Sequence, residues 1–523
     1  MSHKDQQALG VLVFIAFLFL VCRRRTWRGS GNAHGTARWA SERDLHCAKM
    51  FAGRGLVLGR TIGRGKLIRI PRYQHLSVYA PTGAGKGVSY VIPTLLEYRR
   101  GSMFVFDPKG ELFRTTWRAR AAMGNRIIRL DPFGVCGPGG DSYNALLDIQ
   151  RGSMVVDDAR AMGEAMVVRA AEGDRDPFWN NSAVMLITAT ITATLLLMDE
   201  KSRNLSTVRE MITDPEIFQE VIKRLQGLGG IPARLGNQLA RQAQSEKEAA
   251  GVISTASTHS SFLDSEMIAS AVNTSTFSAD VLLSPGTTIY FILPVEQLDA
   301  QRNFLRLVVS TLLRHVMRHG VKRGGEVLFL LDEAASFVTG LEALSQALVL
   351  GRGRGIKLYL FWQTAEQAQV AFKDRPNLVN DNCDARIYFG VNSFPTAELV
   401  SKTLGNHTMV IESVNENESS SSSSASGPEG ATTYQTGWSR GFNLSEHGRA
   451  LLDPSEVMQT LSGELLIAFI KGTPPILARR IKFFADPFFR HVSSSKVPLP
   501  IFWWLLLAIV LALLIWGDIA SKH

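Results

Sequence analysis

From Leu76 onward the chain alternates short apolar runs with longer stretches of mixed character. The runs are LSVYA (76–80), MFVFD (103–107), RIIRL (126–130), TIYFIL (288–293), VLFLLD (327–332), KLYLFW (357–362) and RIYFGV (386–391). Most are apolar at both phases of a two-residue repeat, as parallel strands covered by helices on each face must be. Between them, 88–100, 110–123, 300–318, 340–350 and 395–404 are long enough for crossover helices. The pattern predicts a doubly wound α/β domain. Two later runs, 464–470 and 476–484, are expected to return to the sheet as a strand pair.

One interval breaks the alternation. Between about 150 and 285 the pattern is helical, with Trp179, Met185, Ile187, Ile191 and Leu195 among its apolar positions. An all-α insertion over 151–285 is expected, dividing a nucleotide-binding domain into parts 31–150 and 286–492. The Ser-rich stretch ENESSSSSSASGPEG (416–430) has no means of building a core and is expected to be a flexible surface loop.

Both ends of the chain carry a different pattern. Leu9 to Cys22 is an unbroken apolar run followed by Arg23, Arg24, Arg25 and Arg28, which predicts an uncleaved N-terminal anchor within 1–30. Ile501 to Trp516 is a second run, with Trp503, Trp504 and Trp516 at its ends, which predicts a transmembrane helix within 493–523. The arginines after the first run, with Arg490 and Lys496 before the second, place the bulk of the chain in the cytoplasm against a cell (inner) membrane, with lipid as a partner. Cys22, Cys47, Cys136 and Cys383 show neither metal-ligand spacing nor a disulfide framework, in keeping with a reducing compartment. The net charge of +10 points to an anionic partner, although arginines flanking the membrane account for part of it.

Candidate chemistry begins at APTGAGKGVSY (80–90), between a predicted strand and a predicted helix. Strand, Gly-rich loop and helix is the setting of a phosphate-binding loop, whose backbone N–H groups wrap phosphate at a helix N-terminus. Thr82, Gly83, Ala84, Gly85, Lys86, Gly87 and Val88 are therefore the candidate nucleotide-binding residues, with Lys86 on the β- and γ-phosphates. Gly87 stands where a Ser or Thr hydroxyl ordinarily ligates Mg²⁺, so a water must fill that position or Ser89 must reach it.

A second motif decides the reading. VLFLLDEAASF (327–337) is an apolar strand ending in Asp332, a candidate Mg²⁺ ligand through water, and Glu333, a candidate general base. The next strand ends in Gln363, placed to sense the γ-phosphate. Together these predict ATP hydrolysis with Mg²⁺, with Lys86, Glu333 and Gln363 as catalytic groups and Asp332 at the metal. Arg352, Arg354 and Arg386 are candidates for reaching a neighbour's site or a polyanion, or are simply surface and packing arginines.

These residues resemble the TraG-type coupling proteins of conjugation and type IV secretion. HGTARWASERDL (34–45), FDPKGEL (106–112), LDPFG (130–134), PFWNNSA (177–183), LDEAASF, GRGRGIKLYLFWQ, DNCDARIYFGVN (381–392), TAELVSKTLG (396–405) and ALLDPSEVMQ (450–459) follow in that family's order. The resemblance implies a RecA-like P-loop NTPase with an inserted all-α domain, assembled as a membrane-anchored homo-hexamer. It implies as cargo single-stranded DNA with its relaxase, or effector proteins, and as partners the inner-membrane components of a type IV secretion channel. It places Asp107, Lys109 and Glu111 on the nucleotide or inter-subunit side. One N-terminal membrane run instead of two, and a C-terminal run, depart from the family pattern. Two other readings remain open on the sequence: an FtsK-like DNA translocase, and a membrane adaptor that binds nucleotide without turnover.

Overall fold

The computed structural model describes residues 33–489 apart from 54, 150–151, 170–176, 323–324, 373–374 and 425–431; both apolar terminal runs lie outside the described residues. The described chain divides into two units, one of Ala40–Thr396 continued from Met458, the other of the residues up to Trp39 with Ala397–Val457.

In the first unit an eleven-stranded sheet runs β2-β1-β13-β12-β9-β3-β8-β7-β4-β6-β5. The strands are β1 (Leu56–Arg60), β2 (Leu67–Ile70), β3 (His75–Tyr79), β4 (Ser102–Asp107), β5 (Arg126–Leu130), β6 (Thr287–Ile292), β7 (Val327–Leu331), β8 (Ile356–Trp362) and β9 (Ala385–Tyr388). Two more, β12 (Leu465–Ile470) and β13 (Ile476–Arg479), follow an excursion into the second unit. From β9 to β5 every pairing is parallel; β12, β13, β1 and β2 add an antiparallel edge. The fold is thus mixed α/β around a large parallel sheet. The strands β3, β4, β6 and β7 are buried at every position, which explains why they read as continuous apolar runs. The short β1 and β2 carry no alternation long enough to announce them, and the sequence pattern passes over them.

Consecutive strands β3 and β4 are separated in the sheet by β8 and β7, so the chain crosses over between them. The C-terminal ends of β3, β8, β7 and β4 therefore open side by side onto one crevice, where ligands of open α/β sheets bind.

Between residues 155 and 273 the described chain is helical, from Val155–Met166 to Glu266–Asn273. Its longest helix, Pro177–Leu197, is long and apolar enough to cross a membrane, yet most of it is buried within the protein. Buried Thr188, Thr190, Thr192 and Thr194 each donate a hydroxyl to the carbonyl four residues earlier, so no polar group is stranded in its core. This segment is fixed to the sheet by the Arg302–His319 helix. There Arg306, 2 % exposed, donates to the carbonyls of Ala165, Phe337, Thr339 and Gly340, and Arg318 pairs with Asp158.

The second unit corrects one expectation. The Ser-rich stretch is not simply a loop: β10 (Asn406–Ser424) pairs with β11 (Thr432–Ala450) along an antiparallel ladder from Asn406↔Ala450 to Ser424↔Thr432. Backbone hydrogen bonds carry this ribbon, and Glu416 and Arg440, opposite each other, form an ion pair at 3.0 Å. A serine run offers no apolar period to read, but Thr408, Val410, Ile411 and Val414 on one side and Thr432, Thr433 and Thr436 on the other are strand formers.

Candidate active site

The loop after β3 makes two turns that only glycine enters freely, at Gly83 (φ +80°) and Gly85 (φ +88°). The N–H of Ser89 is bonded back to Gly85 O at 2.9 Å, so the groups from Gly85 to Val88 stand at a helix N-terminus, where backbone donors lack helical partners. The helix starts irregularly. A π turn, Gly87–Val91, precedes the α-helix Ile92–Glu97, which has Pro93 in its first turn. Such π turns interrupt helices mostly at functional sites.

A cleft of about 460 Å³ opens over this loop. Thr82, Gly83, Gly85, Lys86, Gly87 and Val88 line one side, and Asp332, Glu333 and Gln363 line it from the ends of β7 and β8. Asp107, Lys109 and Glu111 complete it after β4, and Val295 and Leu298 after β6. Of the predicted loop residues Thr82 to Val88, Ala84 alone is outside the lining. Its N–H donates to Pro81 O at 3.2 Å and its carbonyl accepts from Arg480, so both its polar groups face the protein.

Arg480 is the residue that sequence reasoning missed. It follows β13, half-buried, with its guanidinium 4.8 Å from the Phe389 ring and hydrogen bonds to the carbonyls of Ala84 and, at 2.7 Å, Gly463. Holding a loop carbonyl from behind fixes the direction in which the neighbouring N–H groups point. No local motif announces it, because it comes from the antiparallel edge of the sheet some 400 residues away in sequence.

The charged groups form one connected chain. Lys86, 7 % exposed, donates to Ala80 O at 3.0 Å and lies 3.8 Å from Glu333 Oε1. The amide of Gln363 donates to Glu333 Oε2 at 3.1 Å. Glu333 adopts left-handed backbone angles (φ 55°, ψ 42°), uncommon for a residue with a side chain, and both the N–H and the hydroxyl of Ser336 bond its carbonyl. Strain of this kind, typically about 1–3 kcal/mol, concentrates at functional sites.

Asp332 keeps part of its surface open to the cleft, yet its carboxyl is pushed up to about 6. Burial is the main cause, then the charge of Glu333; Lys86 and the Glu333 N–H, bonded to Asp332 Oδ1 at 3.2 Å, oppose it. Asp107, 1 % exposed and accepting the Phe113 N–H at 2.9 Å, is also raised by burial. Four carboxylates, Asp107, Glu111, Asp332 and Glu333, line the cleft against two lysines, Lys86 and Lys109, which makes a site short of positive charge, suited to receive a cation with its anionic ligand.

A stability consequence follows for the nucleotide-free protein. The folded Asp332 holds its proton up to about pH 6, against an ordinary value of 3.8, so ionising it in the fold costs free energy. Its contribution to stability is greatest below the ordinary value and is lost as pH rises through 6. Asp332→Asn is therefore expected to be more stable than the parent at pH 8 and no more stable at pH 4, read by denaturant unfolding. An equal effect at both pH values would contradict the assignment.

The donor set fits Mg²⁺, which is held by one or two carboxylates together with phosphate oxygens and waters. Among the described residues no cluster of three or more His, Cys, Asp or Glu could hold a metal by itself. Gly87 leaves room: a Cβ there would meet no atom within 4 Å. Ser89, 3 % exposed, does not line the cleft.

Arg352, Arg354 and Arg386 do not line the cleft. The first two sit in the Gly351–Arg354 turn before β8, a strand of seven residues, or about 23 Å, from the end that bears Gln363. Arg386 lies in β9 with its guanidinium 5.5 Å from the Phe469 ring.

Known proteins are similar to this chain. The chain is 25% identical to the conjugal transfer protein TraG of Escherichia coli, over 89% of this chain and 78% of that one. It is 24% identical to the protein VirD4 of Rhizobium radiobacter, over 95% and 71%. Among solved structures it is similar to the bacterial conjugative coupling protein TrwBdeltaN70, with a TM-score of 0.62 at 17% identity over 85% of this chain and 92% of that one. The plasmid coupling protein TrwB in complex with ADP and Mg²⁺ is similar at a TM-score of 0.60 and 16% identity, over 85% and 94%. These two likenesses show a common fold. The model of the type IV secretory system conjugative DNA transfer family matches residues 38–499, and the chain belongs to that family.

Proposed function

We propose that this chain is the ATP-driven coupling protein of a type IV secretion or conjugation apparatus, delivering single-stranded DNA with its relaxase, or effector proteins, to the inner-membrane components of the channel. The observation that carries the reading is the convergence of Lys86, Asp332, Glu333 and Gln363 from three adjacent strands on one cleft in a chain of this family. Similar solved structures, of the plasmid coupling protein TrwB with a non-hydrolysable ATP analogue and with ADP and Mg²⁺, support a nucleotide-binding reading.

In this reading the N–H groups of Gly83 to Val88, except that of Ala84, bind phosphate oxygens, and Lys86 leaves Ala80 O and Glu333 to meet the terminal phosphates. Glu333 accepts the proton of the attacking water, and Gln363 holds that carboxylate in place. Mg²⁺, bound through Asp332 and water, supplies positive charge against the phosphates. Arg480 keeps the loop in the conformation that binds. Six copies around a pore bring Arg352 and Arg354, on the opposite edge of the sheet, within reach of a neighbour or of the DNA backbone. The terminal runs anchor the ring in the membrane, and the helical segment 151–285 stands as a domain inserted between the two parts of the nucleotide-binding domain. The intact pair of Glu333 and Gln363 favours turnover over a binding-only adaptor.

Gly87→Ser tests the metal assignment. The open space at that position accommodates the side chain, and the hydroxyl takes the place of a water. The Mg²⁺ concentration for half-maximal turnover is expected to fall by up to about tenfold with the fold unchanged. An unchanged or raised requirement would count against it. The function itself is tested by transfer: cells lacking the protein regain DNA or effector transfer with the parent chain and not with Glu333→Gln at equal abundance. Full transfer by the variant would refute an ATP-driven role.

A further inference from the structure

The far edge of the sheet carries a surface that hydrolysis does not use. The turn between β1 and β2 exposes Ile62 (41 %), and the stretch after β13 exposes Phe484 (56 %) and Phe488 (41 %). Scattered apolar side chains are ordinary on a protein surface, but these are tied together. Arg60, at the end of β1, donates to Gly65 O in the turn at 2.6 Å and grips Asp486 with two bonds of 2.6 and 2.9 Å. Phe488 lies under the Arg69 guanidinium of β2, 5.3 Å from it. On the other side of the turn, Lys66 and Arg64 reach Glu42 at 3.2 and 3.6 Å, in the helix Glu42–Cys47. The β1–β2 hairpin is therefore held between the segment with which this unit begins and the segment that leaves it.

Those segments lead to the two apolar runs of the sequence. Ile501 follows Phe489 by 12 residues, a reach of at most about 43 Å. The chemistry of the surface suits the same destination. Aromatic side chains beside lysine and arginine are the composition of the headgroup layer. The carboxylates here are engaged: Glu42 by two cations, Asp486 by Arg60 and Glu464 by Lys482. Arg64 remains the most exposed of these ions, so the patch offers positive charge without an unmatched acid to repel phosphate.

We propose that Ile62, Phe484 and Phe488, rimmed by Arg64, Lys66 and Lys482, dock on the headgroup layer of an anionic phospholipid bilayer. This rests on the reading that 501–516 spans the membrane. It also orients the active site. The stretch that bears the two phenylalanines begins with Arg480, bonded to the phosphate loop, and the Phe483 N–H donates to Val88 O at 3.4 Å. A lipid contact at this edge fixes how the cleft faces the bilayer.

The test uses the full chain reconstituted in vesicles of phosphatidylcholine alone or with phosphatidylserine, both traced by a labelled lipid. The photoreactive p-benzoylphenylalanine is placed singly at Phe484, Phe488, Leu507 and Ile231. Irradiation is expected to yield lipid adducts at 484 and 488 as well as at 507, and none at 231. The adducts at 484 and 488 should rise roughly fivefold with phosphatidylserine, the effect of one net cation at the surface. Adducts at 507 without any at 484 or 488 would overturn the docking surface while leaving the span intact. No lipid adducts at any position would remove the span and the proposal together. Protein–protein adducts at 484 would assign the surface to a second copy, and equal labelling in both vesicles would overturn the anionic preference.

Discussion

Glu333→Gln is expected to lower ATP turnover by about 10²- to 10⁴-fold, the range a positioned general base contributes, while nucleotide still binds. The substitution preserves shape, and the new amide can still accept the Gln363 hydrogen bond that now spans 3.1 Å. What it removes is proton affinity at the carboxylate facing the cleft. It also removes the negative charge beside Lys86 Nζ, leaving Ala80 O at 3.0 Å. Binding of a fluorescent ATP analogue should therefore hold or tighten as turnover falls. If turnover stays within tenfold of the parent, the general base is another group.

Lys86→Ala is expected to act on the other arm. The lysine is buried beside a carbonyl and a carboxylate at the floor of the cleft. Removing it leaves Asp107, Glu111, Asp332 and Glu333 lining the cleft with Lys109 as the remaining lysine. An ionic hydrogen bond contributes about 1.5–3 kcal/mol, so nucleotide affinity should fall by the order of 10²-fold. The Asp332 carboxyl should rise further, because Lys86 is one of the groups that hold it down. Equilibrium titration with ATP and Mg²⁺ at pH 8 measures the first effect. Parent-like affinity would show that the backbone N–H groups alone carry the phosphates.

The strands that build the cleft were legible because each is buried on both faces, so β3, β4, β6 and β7 read as unbroken apolar runs. Asp107, Asp332 and Gln363 were legible by position, because a charged or amide group at the end of such a run has nowhere to go but the sheet's C-terminal edge, and Lys86 by the Gly-rich loop that carries it. Four things were not. β1 and β2 are too short to show a period. The β10–β11 ribbon is held by backbone pairing, to which six consecutive serines add no side-chain signal. Arg480 acts through carbonyls, which any residue supplies, so its partners leave no trace in the sequence. The left-handed turn at Glu333 was equally silent, since it belongs to the backbone.

The central claim is that one cleft hydrolyses ATP in response to the transported strand. The most direct test is steady-state hydrolysis by the full-length protein in lipid, with and without single-stranded DNA, beside Glu333→Gln. Turnover that rises with DNA, falls as salt releases it and vanishes in the variant is the predicted result. Nucleotide that binds but is never hydrolysed, with or without DNA, would contradict the claim and leave a binding-only adaptor in its place.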